Sequence, residues 1–303
     1  MKLLIYIITF IMIAPNLLAK PVIKRTEFLR NTFVTIAVYD DRHEEVIDNC
    51  FALLHSLDDK LIQQTSLVDK ELSPEIFYLI ERGLYYSNLT KGAFDITIAP
   101  LSTLWQRGVP TNPEILAALN LVNYKNVFVN KAARTVTFQY ENMQLDFNSI
   151  AKGYLTDLVC QELQMAGVED ALINIGGNIY VIGSKNIAIY IQDPFAHVGE
   201  AFAAIFLNNE SMVTSEVYDQ TYILNTKTGY PLVNNLASVS VIGINSLECD
   251  CLSTAAFAMG LEDGLNFIEN LPATEAIFVT KDKKVFTTSG ITLNIINPNY
   301  ELH

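Results

Sequence analysis

The chain has 303 residues, half of them apolar, and 33 acidic against 20 basic side chains give a formal net charge of −13. So apolar a chain is not disordered, and its length allows one or two domains. The acidic balance, with no basic cluster, excludes nucleic acid as a partner and disfavours an anionic membrane surface, because both are recognised through grouped lysines and arginines.

Residues 1–19 have the three parts of a secretory signal: Lys2, an apolar run from Leu3 to Ile13, and Pro15 to Ala19 ahead of a cut after Ala19. Leu17 stands where such signals favour a small side chain, so an uncleaved anchor is the alternative. No later run reaches the roughly 20 apolar residues of a membrane span. The expected product is therefore one exported domain over residues 20–303, periplasmic or tethered on the outer side of the inner membrane through its own N-terminal segment.

Thr32 to Tyr39 alternates β-branched and other residues and predicts a strand. A helical pattern runs from His43 to Leu61 and contains Cys50. Ser73-Pro74-Glu75 is a helix start, with a capping residue followed by proline, and predicts a helix to Asn88. Asn112-Pro113-Glu114 repeats the signal for a short helix to Leu119. Residues 126–147 hold three alternating runs and predict a meander of strands. A long helix is expected from Ser149, capped by Asn148 or Ser149, to Ala166, with Gly167 as its stop. Short β-rich runs follow from Ala171 to Leu207, then strands at 237–243, 275–280 and 285–288 beside a helix beginning near Asp250. Strands in groups, with helices between the groups, predict an α+β fold of largely antiparallel sheets with packed helices. Cys50, Cys160, Cys249 and Cys251 form neither a zinc pattern nor a disulfide framework, and Cys50 and Cys160 are expected to be buried and inert.

Four segments depart from ordinary core or loop composition. In Lys91-Gly92-Ala93-Phe94-Asp95-Ile96-Thr97, two polar side chains interrupt an apolar stretch just past a helix end; a glycine cap with Asp95 closing a turn is the plainer account. In Asp146-Phe147-Asn148-Ser149-Ile150-Ala151-Lys152-Gly153-Tyr154, a lysine sits near a helix start, against the macrodipole preference. A phosphate held there would resolve the conflict, and a solvated lysine is the plainer account. In Thr214-Ser215 followed by Tyr222 to Pro231, Asn, Lys, Gly and Pro after a short apolar run make a turn, and a hairpin loop is the plain account. In Glu248 to Ala256, Asp250 and Thr254 are four residues apart on one helix face, suited to a hard cation such as Mg²⁺; Asp250 as a plain helix cap is the alternative.

Taken in order, Gly92 to Thr97 with Pro100-Leu101 and Trp105, Lys152-Gly153-Tyr154 with Asp157, Asn174-Ile175-Gly176-Gly177-Asn178, Thr228-Gly229-Tyr230-Pro231 and Asp250 to Ala255 resemble the ApbE family of flavin transferases over residues 28 to 290. The resemblance implies an ApbE-like, T-fold-like architecture. It implies an exported Mg²⁺-dependent enzyme that takes FMN from FAD, attaches it to a threonine of an acceptor protein and releases AMP. Carried over by position, Asp250, Thr254 and the Ser149 carbonyl would hold the metal. Ala93, Phe94, Asp95, Asp146, Lys152 and the backbone near Ile223 would contact FAD, and Asp250, Thr254 and Lys152 would carry catalysis. Asp250, as a surface ligand, is expected to be dispensable for folding. The chain departs from the family at Tyr222 to Thr226, where a His-Ile-Ile-Asp-Pro run is usual, at Arg30-Asn31-Thr32, at Glu216 and in a short stretch between Leu57 and Leu72. Those departures leave a non-catalytic FAD-binding protein, or an FAD pyrophosphatase, as the alternative function.

Overall fold

The computed structural model describes residues 23–29, 32–39, 44–62, 70–183, 187–217 and 223–303, with side chains in these ranges except 58–62. The signal-like segment 1–19, Arg30-Asn31, most of the short stretch before Leu72, and Tyr222 lie outside the described residues.

Two antiparallel strands, β1 (Ile23–Leu29) and β2 (Thr32–Val38), open the described chain and are followed by α1 (Glu44–Ile62). Helix α2 (Pro74–Leu89) starts as its sequence predicts: the Ser73 hydroxyl accepts from the Ile76 N–H. After α3 (Ala99–Gln106) comes α4 (Asn112–Leu119), whose cap is Thr111, one residue before the expected Asn112. Glu114 reaches back to the Thr111 N–H and hydroxyl, the second half of a capping box. The expected three-strand meander is only a hairpin, β3 (Val127–Asn130) with β4 (Thr135–Phe138), and residues 139–147 run on without a strand to α5 (Asn148–Met165). Neither Asn148 nor Ser149 caps α5. Asp146 does the work, accepting the Asn148 N–H at 2.9 Å.

The second half is β-rich: β5 (Ala171–Ile175), β6 (Asn178–Ile182), β7 (Ile187–Gln192), β8 (Ala201–Leu207), β9 (Glu210–Glu216) and β10 (Leu236–Gly243). Helix α6 (Ser246–Met259) starts four residues before Asp250, with Asn245 as its cap, so Asp250 lies one turn inside the helix and is not a cap. Helix α7 (Leu261–Glu269) and strands β11 (Thr274–Thr280), β12 (Lys284–Thr287), β13 (Asn294–Ile295) and β14 (Glu301–Leu302) complete the order.

Nine strands form one sheet in the order β1-β2-β5-β6-β9-β10-β11-β12-β14, antiparallel except for β12 with β14. A second sheet, β13-β8-β7, covers part of one face. Ala37, Leu172, Ile179 and Val181 pack there against Ile189, Phe202 and Ile205. On the opposite face Ile36, Val38 and Ile173 meet Ile47 and Leu54 of α1 and Leu155 and Val159 of α5. Further along that face Val213, Val239 and Phe278 meet Leu252, Ala256 and Phe257 of α6. Strands β5, β6 and β10 are buried at every residue, as strands covered on both faces must be. At about 1.5–3 kcal/mol for each large apolar side chain removed from water, this layered core fixes α5 and α6 side by side on the sheet.

Candidate functional site

Helices α5 and α6 cross at Gly153. A Cβ built there would lie 2.5 Å from both Leu247 Cα and the Ser246 carbonyl oxygen, so only glycine permits this approach. Each helix gives the other a carboxylate. Asp157 of α5 accepts the N–H groups of Ser246 and Leu247 at 2.7 and 2.9 Å, ending two of the free donors of α6. Asp250 of α6 accepts the Gly153 N–H at 3.0 Å and the Asn178 side-chain amide at 3.0 Å.

Both bonds to Asp250 fall on Oδ2, and Oδ1 accepts none from a described side chain or backbone group. The residue is buried rather than a surface ligand, which corrects the expectation that its loss would spare the fold. Burial pushes its carboxyl above the ordinary range; Lys152 and the bonds from Gly153 and Asn178 pull the other way. In an α-helix the N–H of residue 153 points at the carbonyl of residue 149. Its bond to Asp250 therefore puts the carboxylate and the Ser149 carbonyl at one N–H group. Thr254, one turn beyond Asp250, donates its hydroxyl to the Asp250 carbonyl at 3.3 Å and lies 3.3 Å from the Ser215 hydroxyl. Ser215 in turn is 2.8 Å from Ser253.

A carboxylate, a hydroxyl and a backbone carbonyl are all hard oxygen donors, the set that suits Mg²⁺ when water and phosphate complete its shell. Among the described residues no three His, Cys, Asp or Glu side chains gather to hold a metal, so Asp250 is the lone carboxylate of this set. The residues fit an ion shared with a phosphate ligand better than one caged by protein.

Lys152 lies on the same turn of α5 and donates to the Gly176 carbonyl at 3.4 Å. Gly176 and Gly177 (φ +57° and +96°) make the β5–β6 turn, and the Asn174 side chain accepts the Gly177 N–H. This turn delivers Asn178 to Asp250.

The remaining predicted residues form a second arc. Past α2, Lys91 and Gly92 take positive φ (53° and 80°), and Asp95 closes the turn by accepting the Thr97 N–H and hydroxyl and the Tyr124 N–H. Burial raises the Asp95 carboxyl, and those three bonds counter it. With the Phe94 and Asp95 side chains buried, the turn offers a ligand Ala93 and backbone. The Asp146 N–H donates to the Ile96 carbonyl at 2.7 Å and its Oδ2 accepts from Ser102, which ties this turn to the start of α5. Ile223 opens the hairpin closed by Leu232 N–H to Ile223 carbonyl, 2.8 Å, and Asn225 N–H to Tyr230 carbonyl, 2.8 Å. Thr226 donates to the Gly92 carbonyl at 2.6 Å, and Trp105 to the Gly229 carbonyl at 2.9 Å. Hence the segments 92–97, 146–153, 223–231 and 250–254 adjoin in sequence around one region.

Three partners were not assigned roles from sequence: Asn178, Ser215 and Asp157. Asn178 carried a signal, as a polar residue opening an apolar strand directly after two glycines. Ser215 and Asp157 act through tertiary contacts that spacing does not disclose.

The family model described as "ApbE family" matches residues 31–278. The FAD:protein FMN transferase of Klebsiella pneumoniae (strain 342) is 34% identical, over 72% of this chain and 73% of that protein. The enzyme of the same name from Treponema pallidum (strain Nichols) is 28% identical, over 74% and 70%. Among solved structures, the apo flavinyl transferase ApbE of Pseudomonas stutzeri superposes with a TM-score of 0.74 at 27% identity, covering 86% of this chain and 91% of that one. Flavin transferase ApbE from Vibrio cholerae, at 22% identity, shares the fold with a TM-score of 0.78 over 89% of this chain and 97% of that one. With four-fifths of its length inside the family match and its glycine turns and carboxylates in place, this chain belongs to the ApbE family.

Proposed function

We propose that the protein is a Mg²⁺-dependent FAD:protein FMN transferase that moves FMN from FAD to a threonine of an exported acceptor protein and releases AMP. The observation that carries this reading is the α5–α6 crossing, which sets Lys152 and the Asp250–Thr254 pair around one helix start in a chain of this family. In the reaction the threonine oxygen bonds to the FMN phosphorus and the bond from that phosphorus to the AMP oxygen breaks. AMP leaves with the bonding pair, and the threonine proton passes to the AMP phosphate or to water. Phosphoryl transfer is catalysed mainly by positioning and charge stabilisation, and these residues are suited to both. Lys152 holds the diphosphate from one side. Asp250, Thr254 and the Ser149 carbonyl would hold Mg²⁺, which would supply positive charge to the phosphoryl oxygens. Asp146 and the turn at Ala93 to Asp95 position the nucleotide, with the backbone near Ile223 closing the far side. The four histidines fall at 43, 55, 197 and 303, outside every one of these segments, so no histidine is assigned a proton. Export rests on residues 1–19 alone.

The test is AMP release from FAD by the purified protein, with and without Mg²⁺, beside in-gel flavin fluorescence of a threonine-bearing acceptor domain. Mg²⁺-dependent AMP together with a fluorescent acceptor is expected. AMP with a dark acceptor would make the protein a pyrophosphatase, and bound FAD without AMP a carrier.

A further inference from the structure

The side of α5 turned away from Lys152 carries Tyr154, Asp157 and Gln161 at helical spacing. Together with Tyr78 of α2, Tyr180 of β6 and Asn245 they line a cavity of about 430 Å³. Its size is that of a small-molecule site. The Tyr78 and Tyr154 rings lie 5.6 Å apart between centroids, tilted by 39°. Tyr180, buried in the core beneath the cavity, donates its hydroxyl to the Asn209 carbonyl at 3.3 Å. Among the described residues Asp157 is the one charged member of the lining, and neither lysine, arginine nor histidine joins it. Burial pushes its carboxyl up to about 7 in spite of the bonds from Ser246 and Leu247, and Asp250 and Glu248 raise it further. Glu75 adds negative potential at Tyr154.

Aromatic faces attract cations through the ring quadrupole, and a carboxylate among them supplies the countercharge. We infer that this cavity binds a small organic cation carrying an alkylated ammonium group. An anion would find no lysine, arginine or histidine among the described lining residues, whereas a cation favours the ionised form of the Asp157 carboxyl. The site uses none of the residues assigned to FAD or metal, so it stands whether or not the transferase reading does.

The experiment is calorimetric titration of the whole protein with choline and, separately, with 3,3-dimethylbutan-1-ol, its uncharged isostere. Choline is expected to saturate a single site and the alcohol to give no binding heat over the same range. Tyr78 is 41% exposed at the rim, so Tyr78→Leu should fold as the parent does, with a matching thermal melt, and weaken choline by about tenfold. Asp157→Asn should weaken it comparably. Absence of choline binding, equal binding of the alcohol, or unchanged affinity in Tyr78→Leu would each overturn the assignment.

Discussion

The two sides of the α5–α6 crossing use the same residue type for different ends, Asp250 buried and Asp157 half-buried. Asp157 sets one oxygen on each of two N–H groups, Ser246 and Leu247, and has no lysine beside it. Asp250 loads Oδ2 with two donors, leaves Oδ1 without one among the described residues, and feels Lys152. Where both oxygens serve the backbone, the carboxylate fastens a helix start and offers a neighbouring cation its charge but no free oxygen. Where one oxygen is spare and a cation stands near, it is equipped to share an ion with a phosphate. How the oxygens are occupied separates the two.

The strongest way to break this contrast is at Asp250. Asp250→Asn should lower Mg²⁺-dependent AMP release from FAD by about 10²-fold or more, since a charged metal ligand becomes neutral. Asp250→Ala should lose as much activity and also destabilise the fold by about 1–3 kcal/mol, because the buried Gly153 N–H and Asn178 amide lose their acceptor. Paired kinetics and denaturant titrations check both. Full activity in either variant, after chelation and resupply of Mg²⁺, would remove Asp250 from the site.

Next in size is Lys152. Its one bond among the described residues, to the Gly176 carbonyl, is long at 3.4 Å, so Lys152→Met should leave the melting temperature within a few degrees of the parent. The same change should cut FAD turnover by about 10–100-fold if the ammonium neutralises the diphosphate. A variant that lost stability but kept turnover would make Lys152 a tether for the glycine turn. Gly153→Ala acts on both sides at once. A methyl group 2.5 Å from Leu247 Cα and the Ser246 carbonyl forces the helices apart, at a cost of about 1–3 kcal/mol measured by urea unfolding. Wild-type stability in that variant would mean that the helices do not approach as closely as this.

Much of the frame was legible in the sequence because it depends on local signals. Ser73-Pro74 capped α2 as read, Gly167 ended α5, and the strands at 237–243, 275–280 and 285–288 appeared as β10, β11 and β12. The errors fall where a local preference met a tertiary one. Asn245, not Asp250, caps α6, because the buried carboxylate is claimed by Gly153 and Asn178 from other elements. Asp146 replaced Asn148 and Ser149 as the acceptor at α5, since its backbone is already anchored to Ile96. The third run of the expected meander does not pair, and its chain instead carries Asp146 to the site. Within the site, the i, i+4 spacing of Asp250 and Thr254 was readable, but its second partner shell was not. Asn178 and Ser215 reach α6 from strands β6 and β9, and no spacing along the chain encodes a contact of that kind.

The finest test of the contrast is the pH dependence carried by Asp157. Its carboxyl rises from an ordinary 3.8 to about 7 in the folded protein, chiefly through burial, with Asp250 and Glu248 adding to the rise and the Ser246 and Leu247 N–H groups opposing it. Between those two values the folded chain binds more protons than the unfolded one. Stability from this group is therefore greatest at the acid end and declines as pH climbs toward 7, with a slope of at most about 1.4 kcal/mol per pH unit. Asparagine does not titrate, so the stability difference between wild type and Asp157→Asn should fall from pH 4 to 7 and level off above it. A bound organic cation favours the ionised carboxylate, so saturating choline should flatten that decline by pulling the Asp157 titration downward. A pH-independent difference would show that Asp157 is ionised throughout, and that its two backbone bonds outweigh its burial.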